Sequence, residues 1–402
     1  MKENSEKKIP EVAIGVFGHV DHGKTTLVHA LTGRRTDVHS EEQKRAMTIR
    51  LGYATATFYR CPKCKEYPYT RYETCEKCGS KCEVVRTVSF VDAPGHEALM
   101  ATALAGTALI DGALLIIAAN EGIREQTKEH LLALEIAGIK NIVVVQTKLD
   151  LVDETRARKN YEEIREFLKG TIAERAPVIP VAAQQHVNID ALIEAIEKYI
   201  PTPQRDESAT PIFFVARSFD INKPGCSPRD LRGGVLGGAV IRGVLKKGDE
   251  IEISPGYRTE SGWRKLTARI ESIRQGNAEV EVARPGGLTG VLTTLDPSLT
   301  KSDSLAGNVA GLKGKLPGLR ERLVLNVKLV RSAKFSRGEA AMFTCGVTRT
   351  VGVIKDIHTK HGNLIFEVEL RIPVVVLEGA RIAVSKREGN SWRLVGYATL
   401  EN

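Results

Sequence analysis

The chain has no apolar run long enough to cross a bilayer. Its most hydrophobic stretch, Gly112 to Ala119, is the length of a buried strand, so no membrane partner is expected. The start, Met1-Lys2-Glu3-Asn4-Ser5-Glu6-Lys7-Lys8, is polar and has no apolar core, and is not expected to act as an export signal. Seven cysteines in 402 residues are too few for a disulfide scaffold. Five of them lie between Cys61 and Cys82, which points to metal in a cytoplasmic protein rather than to cross-links. No short-period repeat is present, and no convincing long helix is visible after residue 211.

What is present is ordinary globular material, 42% hydrophobic and 27% charged, in a length that suits two or three domains. Lys and Arg outnumber Asp and Glu by 58 to 49, for a formal charge of +9, which favours an anionic partner such as nucleic acid. From residue 11 to 200, short apolar segments (12–17, 84–91, 112–118, 141–146, 177–182) alternate with amphipathic ones (96–106, 125–137, 157–168, 188–199). That alternation predicts a doubly wound α/β sheet with its ligand site at the carboxyl ends of the strands. Pro201-Thr202-Pro203 breaks the pattern. Beyond it, short apolar segments punctuated by Gly234, Gly238, Gly243 and Gly248 predict one or two β-barrels. A second break, Gly311 to Gly318, is expected to separate them. The expected domains are 1–203, with an insert at 60–82, then 204–318 and 319–402.

Gly18-His19-Val20-Asp21-His22-Gly23-Lys24-Thr25 follows the apolar run Val12 to Phe17 and opens a helix at Thr26-Leu27-Val28. It fits the phosphate-loop pattern G-x-x-x-x-G-K-[ST] in its strand–loop–helix setting. Gly23 lets the backbone curl so that successive N–H groups, from Asp21 and His22 through Thr26, face one phosphate cluster at a helix N-terminus. Lys24 would neutralise the outer phosphates, and the Thr25 hydroxyl would hold Mg²⁺.

Asp92-Ala93-Pro94-Gly95-His96 stands at the end of the next strand. Asp92 can reach the same Mg²⁺, the Gly95 N–H can approach a terminal phosphate, and His96 can orient a water. Between these motifs lies Arg45-Ala46-Met47-Thr48-Ile49, a candidate mobile loop in which Thr48 could close on Mg²⁺. Thr147-Lys148-Leu149-Asp150 follows another strand. The Asp150 carboxylate can accept guanine N1–H and N2–H₂, which adenine does not offer, and Lys148 can lay its stem along the base. Ala182-Ala183-Gln184 could offer a backbone N–H to guanine O6. Cys61-Pro62-Lys63-Cys64 and Cys75-Glu76-Lys77-Cys78 are two C-x-x-C knuckles with tetrahedral zinc spacing. Cys82, Cys226 and Cys345 have no evident partners.

The phosphate loop, the Asp92-Ala93-Pro94-Gly95-His96 string and the barrel glycines resemble the translational GTPases. The cysteine insert after the first switch resembles, more specifically, the gamma-subunit family of archaeal and eukaryotic translation initiation factor two. So do Arg217-Ser218-Phe219-Asp220-Ile221-Asn222-Lys223-Pro224-Gly225, Leu295-Asp296-Pro297 to Gly307-Asn308-Val309, and Trp392-Arg393-Leu394-Val395-Gly396. The resemblance covers nearly the whole chain. It implies an α/β GTPase domain with a zinc-knuckle insert, followed by two all-β barrels. It also implies slow, partner-stimulated GTP hydrolysis, with GTP/GDP, Mg²⁺ and Zn²⁺ as cofactors. The implied partners are methionylated initiator tRNA, the alpha and beta subunits and the small ribosomal subunit.

By motif position the resemblance gives Lys24 and Thr25 to phosphates and Mg²⁺, with Thr48 and Asp92 completing the metal environment. It places a second cation between Asp21 and the Ala46 carbonyl, and hydrolysis at His96 with Val20 and Ile49 around the water. Thr147 stands where that family has Asn, and is expected to do little to bond the base or brace the phosphate loop. Ala46 replaces a switch Gly and Ala182 a Ser. The loop after Ala119 and residues 331–341 look abbreviated. The alternatives are an elongation-type or selenocysteine-specific carrier, and a non-hydrolysing RNA-binding scaffold. Lys386, Arg387 and Arg393 are candidate tRNA contacts no better than other solvated charges.

Overall fold

In the computed structural model, which describes residues 9–34, 51–95, 99–223, 225–389 and 391–401, seven strands form one sheet near the start of the chain. They are β1 (Pro10–Gly18), β2 (Gly52–Arg60), β3 (Tyr69–Thr70), β4 (Glu83–Asp92), β5 (Gly112–Ala118), β6 (Ile142–Thr147) and β7 (Val178–Pro180), in the order β3-β2-β4-β1-β5-β6-β7. β1 pairs in parallel with β4 on one side and β5 on the other, and β6 and β7 continue the parallel run. Strands buried on both faces read as continuous apolar runs, which is why Val12 to Phe17, Ala113 to Ala118 and Ile142 to Val145 show no alternation. The reversal of strand order at β1 places a crevice outside the carboxyl ends of β1, β4, β5 and β6.

Among the described residues, the α-helices that accompany this sheet are α1 (Lys24–Thr32), α2 (Met100–Gly106), α3 (Glu125–Ala137), α4 (Glu154–Leu168) and α5 (Ile189–Tyr199). Each stops for a local reason where the sequence supplies one. Gly33 and Gly138 take left-handed φ values of 73° and 75° after α1 and α3, a conformation that costs glycine nothing. The Asp153 carboxylate accepts the Arg156 N–H at 2.7 Å and starts α4. α5 turns Leu192, Ile193 and Ile196 into the core that holds Val12, Ile14, Val143 and Val145.

The expected strands are found to within one or two residues at their ends. The helix expected over 96–106 is described from Met100, because residues 96–98 lie outside the described set. Sequence reading missed two strands, β2 and the two-residue β3 that pairs with it. In β2 the Gly-Tyr-Ala-Thr-Ala-Thr alternation buries Ala54, Ala56 and Phe58, and the strand runs antiparallel to β4, with Ala54 opposite Phe90.

The chain divides into two units, Met1–Gln204 with Gly276–Ala278, and Arg205–Gln275 with Glu279–Asn402. The second unit holds two closed rings. Glu250–Thr259, Val309–Leu312, Ile212–Phe219, Val235–Arg242, Leu288–Thr293 and Gly262–Gln275 pair in that order, and the last strand pairs back to the first. Leu319–Leu329, Asn363–Val375, Thr348–Lys360, Ala340–Cys345, Ile382–Glu388 and Ser391–Leu400 close the other. Phe213, Leu236 and Ile270 fill the first ring, and Leu325, Phe343 and Phe366 the second. The expected break at 311–318 starts late: Gly311 and Leu312 belong to the strand Val309–Leu312. Among the described residues of this unit the only helical pieces are the 3₁₀ segments Pro228–Asp230 and Pro297–Asp303.

Candidate functional site

β1 delivers the chain into a loop whose shape its residue types set. Gly23 sits at φ 86° immediately before α1, and Asp21 at φ 62° just upstream. The turn leaves the first N–H groups of α1 without helical acceptors, at the positive end of the helix. Lys24 is only 7% exposed, and its ammonium donates to the Gly18 and His19 carbonyls at 3.0 and 2.6 Å. Burial brings this amine down to about 8, against the pull of Asp92 and Asp21. A buried cation whose hydrogen-bond partners among the described residues are loop carbonyls is matched to an anion entering the same concavity.

Asp92 is fully buried at the end of β4, and its Oδ2 accepts the Thr25 hydroxyl at 2.8 Å. The Ala93 N–H donates to the Val16 carbonyl at 3.1 Å, which pins the segment beyond β4 to β1. Gly95 then lies so close to the loop that a Cβ there would meet Lys24 Nζ at 2.5 Å and Val20 N at 2.9 Å. Lys24, Thr25, Asp92 and Gly95 therefore converge, and this cradle fits a Mg²⁺–nucleotide: a cation and N–H groups for phosphates, a hydroxyl and a carboxylate for the metal. The expected partners Ala46, Thr48, Ile49 and His96 lie outside the described residues.

Two histidines in or beside the loop serve its architecture. The His22 ring is fully buried, with Nδ1 3.4 Å from both the Ile116 carbonyl and the Ala118 N–H, so only its backbone faces the loop. Burial lowers it to about 4. Its carbonyl accepts the Thr147 hydroxyl at 2.7 Å, so Thr147 does brace the phosphate loop, contrary to expectation. Sequence reading missed His130 on α3, fully buried, whose Nδ1 accepts the Gly18 N–H at 3.1 Å while its ring packs edge-on against Phe17. It also missed Glu121, which binds Lys148 Nζ at 3.1 Å and lies 3.7 Å from His22 Nε2, and Gln126, which accepts the Val20 N–H at 3.4 Å. The signal available for Glu121 and Gln126 was their place in the loop after β5, at the carboxyl edge of the sheet.

The base-recognition residues gather at the ends of β6 and β7. Lys148 takes φ 57°, with its amine held by Glu121, while Asp150 is exposed and among the described residues accepts a hydrogen bond from Gln185 Nε2 at 3.4 Å. Ala182 is buried and bridges Val187 across a tight loop in which Ala183 is half-buried against the core and Gln184 is exposed. Thr26 is half-buried in the first turn of α1.

The cysteine insert hangs from β2 and β4. Cys61, Cys64, Cys75 and Cys78 bring their sulfurs within 4.8 Å of one another, with Cys61–Cys78 at 3.4 Å, Cys64–Cys75 at 3.7 Å and Cys64–Cys78 at 3.8 Å. Four sulfurs at the usual zinc distance of about 2.3 Å stand about 3.8 Å apart in a tetrahedron, so the set fits zinc. The turn Gly79 N–H to Cys75 carbonyl at 2.8 Å shapes one knuckle. Hydrogen bonds from Ser80 draw the Cys78 thiol down to about 6, while Cys61 and Cys75 push Cys64 up to about 12. Four thiols cannot all ionise side by side without a cation. Cys82 is buried against Cys61 and Cys75 and is not part of the set of four.

On the last ring the candidate basic residues are engaged locally: Lys386 with Glu339 at 3.0 Å, Arg393 with Glu388 at 3.3 Å, and Arg387 with the Gly389 carbonyl. Asp356, His358 and Glu367 also bring ligand atoms together there, on an open exposed surface. No helix among the described residues is long and apolar enough to cross a membrane.

Known proteins share this arrangement. Residues 10–202 match the Elongation factor Tu GTP binding domain, residues 233–324 Elongation factor Tu domain 2, and residues 318–400 the family Initiation factor eIF2 gamma, C terminal. The chain is 51% identical to translation initiation factor 2 subunit gamma of Methanocaldococcus jannaschii, over 100% of each chain. It is 52% identical to the same subunit of Archaeoglobus fulgidus, over 98% of this chain and 95% of that one. Among solved structures, a bacterial selenocysteine-specific elongation factor superposes with a TM-score of 0.75 at 26% identity, covering 97% of this chain and 58% of that one. The elongation factor SelB of Methanococcus maripaludis, crystallised with a GTP analogue, gives 0.74 at 21% identity, covering 98% of this chain and 80% of that one.

Proposed function

This chain belongs to the gamma-subunit family of translation initiation factor 2, and from that premise we propose that it is the GTP-switched carrier of methionylated initiator tRNA. It is a translation-initiation GTPase, hydrolysing GTP to GDP and phosphate. The finer reading adds its company: alpha and beta subunits of the same factor, and the small ribosomal subunit as the place of delivery. In this reading residues 1–203 bind the nucleotide, 204–318 and 319–402 are the two barrels, and a zinc ion sits on Cys61, Cys64, Cys75 and Cys78.

The observation that carries the reading is the convergence of Lys24, Thr25, Asp92 and Gly95 on one cradle. Bound Mg²⁺–GTP supplies the terminal phosphate whose presence or loss the switch reads. Lys24 would exchange two loop carbonyls for phosphate oxygens. Thr25 would turn its hydroxyl from Asp92 toward the metal, with the carboxylate behind it, and Gly95 would offer its N–H. Asp21, Ala46 and Thr48 would complete the cation environment, and His96 would hold the attacking water. Asp150, Lys148 and the Ala182-Ala183-Gln184 backbone would read guanine.

A titration with fluorescent GDP in Mg²⁺, displaced by GTP and not by ATP, tests the nucleotide site. Retention of methionylated initiator tRNA with a non-hydrolysable GTP analogue, and not with GDP, tests the carrier. Equal retention in both states would remove the switch from this reading.

A further inference from the structure

His130 sits outside every motif that identifies the nucleotide site, yet it touches two of them. Its Nδ1 accepts the Gly18 N–H at 3.1 Å, at the first residue of the phosphate loop. A nitrogen that accepts carries no proton, so the neutral ring bears its hydrogen on Nε2. That Nε2 is buried and completes no hydrogen bond among the described residues. The backbone acceptor facing it is the Pro94 carbonyl. The ring does not escape the problem by swinging away, because it is wholly enclosed and packed against Phe17 at 5.5 Å between centroids. A buried donor left without a completed hydrogen bond is a costly arrangement, and completing one to the neighbouring Pro94 carbonyl is favourable.

The acceptor belongs to a peptide that matters. The Pro94–Gly95 bond is trans, so its C=O and N–H point to opposite edges. Whatever draws the Pro94 carbonyl toward α3 turns the Gly95 N–H toward the loop, where Gly95 already crowds Val20 N and Lys24 Nζ.

We propose that His130 is a positioning residue for the switch: its Nε2–H captures the Pro94 carbonyl when a terminal phosphate is bound, and so holds the Gly95 N–H against that phosphate. Its other nitrogen fixes the start of the phosphate loop, so one rigid ring sets the distance between the two phosphate-facing backbones. The proposal rests on the GTPase reading above. It accounts for histidine at this place, since a neutral imidazole offers an acceptor and a donor on opposite corners of one flat group.

Two substitutions separate the corners. His130→Asn keeps an acceptor near the Nδ1 position and removes the distal donor. His130→Gln keeps an N–H near the Nε2 position. With the whole chain in Mg²⁺, affinities for GDP and for a non-hydrolysable GTP analogue are measured by displacement of fluorescent GDP. His130→Asn is expected to weaken the analogue about fivefold to tenfold more than GDP, the worth of one hydrogen bond, and His130→Gln to stay within about twofold of the wild-type ratio. Equal losses for both nucleotides, or the same ratio in both variants, overturn the proposal while leaving the GTPase reading intact. A wild type that binds neither nucleotide overturns both. Because a buried substitution can unfold the domain, imidazole ¹⁵N NMR of the wild type gives a second reading. The Nε2–H of His130 is expected to become protected and shift downfield with the analogue relative to GDP, and an unchanged signal also overturns the proposal.

Discussion

The Thr147 hydroxyl donates to the His22 carbonyl at 2.7 Å, joining the end of β6 to the floor of the phosphate loop. The resemblance to the gamma-subunit family implies asparagine at this place, with two tasks, bonding the base and bracing the loop. A hydroxyl is too short for the first but does the second, because Thr147 and Gly23 lie close enough for a Cβ on the glycine to stand 4.0 Å from Oγ1. Thr147→Val keeps the shape and removes the donor, leaving a buried carbonyl unsatisfied at a cost of about 1–3 kcal/mol. GDP and GTP affinities should both fall about tenfold. Thr147→Asn should brace the loop and add a base contact, tightening both several-fold. If the valine variant binds like wild type, the hydroxyl is not holding the loop in its binding shape.

Asp150 is exposed, and its one hydrogen-bond partner among the described residues is Gln185, at a long 3.4 Å, so its carboxylate is available to a base. An ionised acceptor facing two guanine donors gains about 1.5–3 kcal/mol per hydrogen bond. Asp150→Asn replaces one acceptor with a donor, which suits the C2 carbonyl of xanthine. Displacement assays should show guanine nucleotides weakened about a hundredfold and xanthine nucleotides now preferred. An Asp150→Asn protein that still prefers guanine would mean that another group reads the base.

How much of this was legible beforehand follows from the range of the contacts. Gly23, Lys24 and Thr25 could be read because a phosphate cradle is built from consecutive backbone groups, and its spacing is local. The four cysteines could be read for the same reason. His130 and Gly18 are 112 positions apart, and Glu121 meets Lys148 across 27, so no window of sequence contains either relationship. His22 could be read only for its backbone N–H, and the left-handed turn at Asp21 and Gly23, which sends its ring into the core, has no local signature. β2 was missed because Ala54-Thr55-Ala56-Thr57 is weakly apolar, and its pairing with β4 decides its state.

Removing zinc should loosen the insert and leave the sheet. Cys61 and Cys75 are buried with Cys82 in a small cluster of their own, while the main core draws on Val12, Ile14, Val143 and Ile196. One zinc per chain is expected by elemental analysis, and cobalt in its place should show the spectrum of a tetrahedral thiolate site. After chelation, backbone exchange should rise across 61–82 and stay slow in β1 and β5. Cys75→Ser should do the same without a chelator. Retention of slow exchange in the insert after metal removal would show that the buried cysteines hold it unaided.

The buried histidines make a prediction about acid that is independent of any ligand. His22 and His130 titrate near 6.5 when free, but burial lowers them to about 4 and about 3 in the folded chain. Between about pH 6.5 and pH 4 the unfolded chain therefore takes up protons that the folded one refuses. Unfolding is favoured as pH falls, with stability fully present above the free value and lost below it. Each histidine contributes a slope of at most about 1.4 kcal/mol per pH unit in that window. Urea unfolding of the nucleotide-free chain at about pH 7.5, 6.5, 5.5 and 4.5 should show stability flat across the first step and falling across the others. His130→Asn has no proton to gain, so its slope should be smaller by one histidine's share while its stability at neutral pH reports the packing change alone. A wild-type curve that stays flat to pH 4.5 would mean that the folded state accommodates the charged rings, and the enclosed geometry of His130 would then have to open in acid.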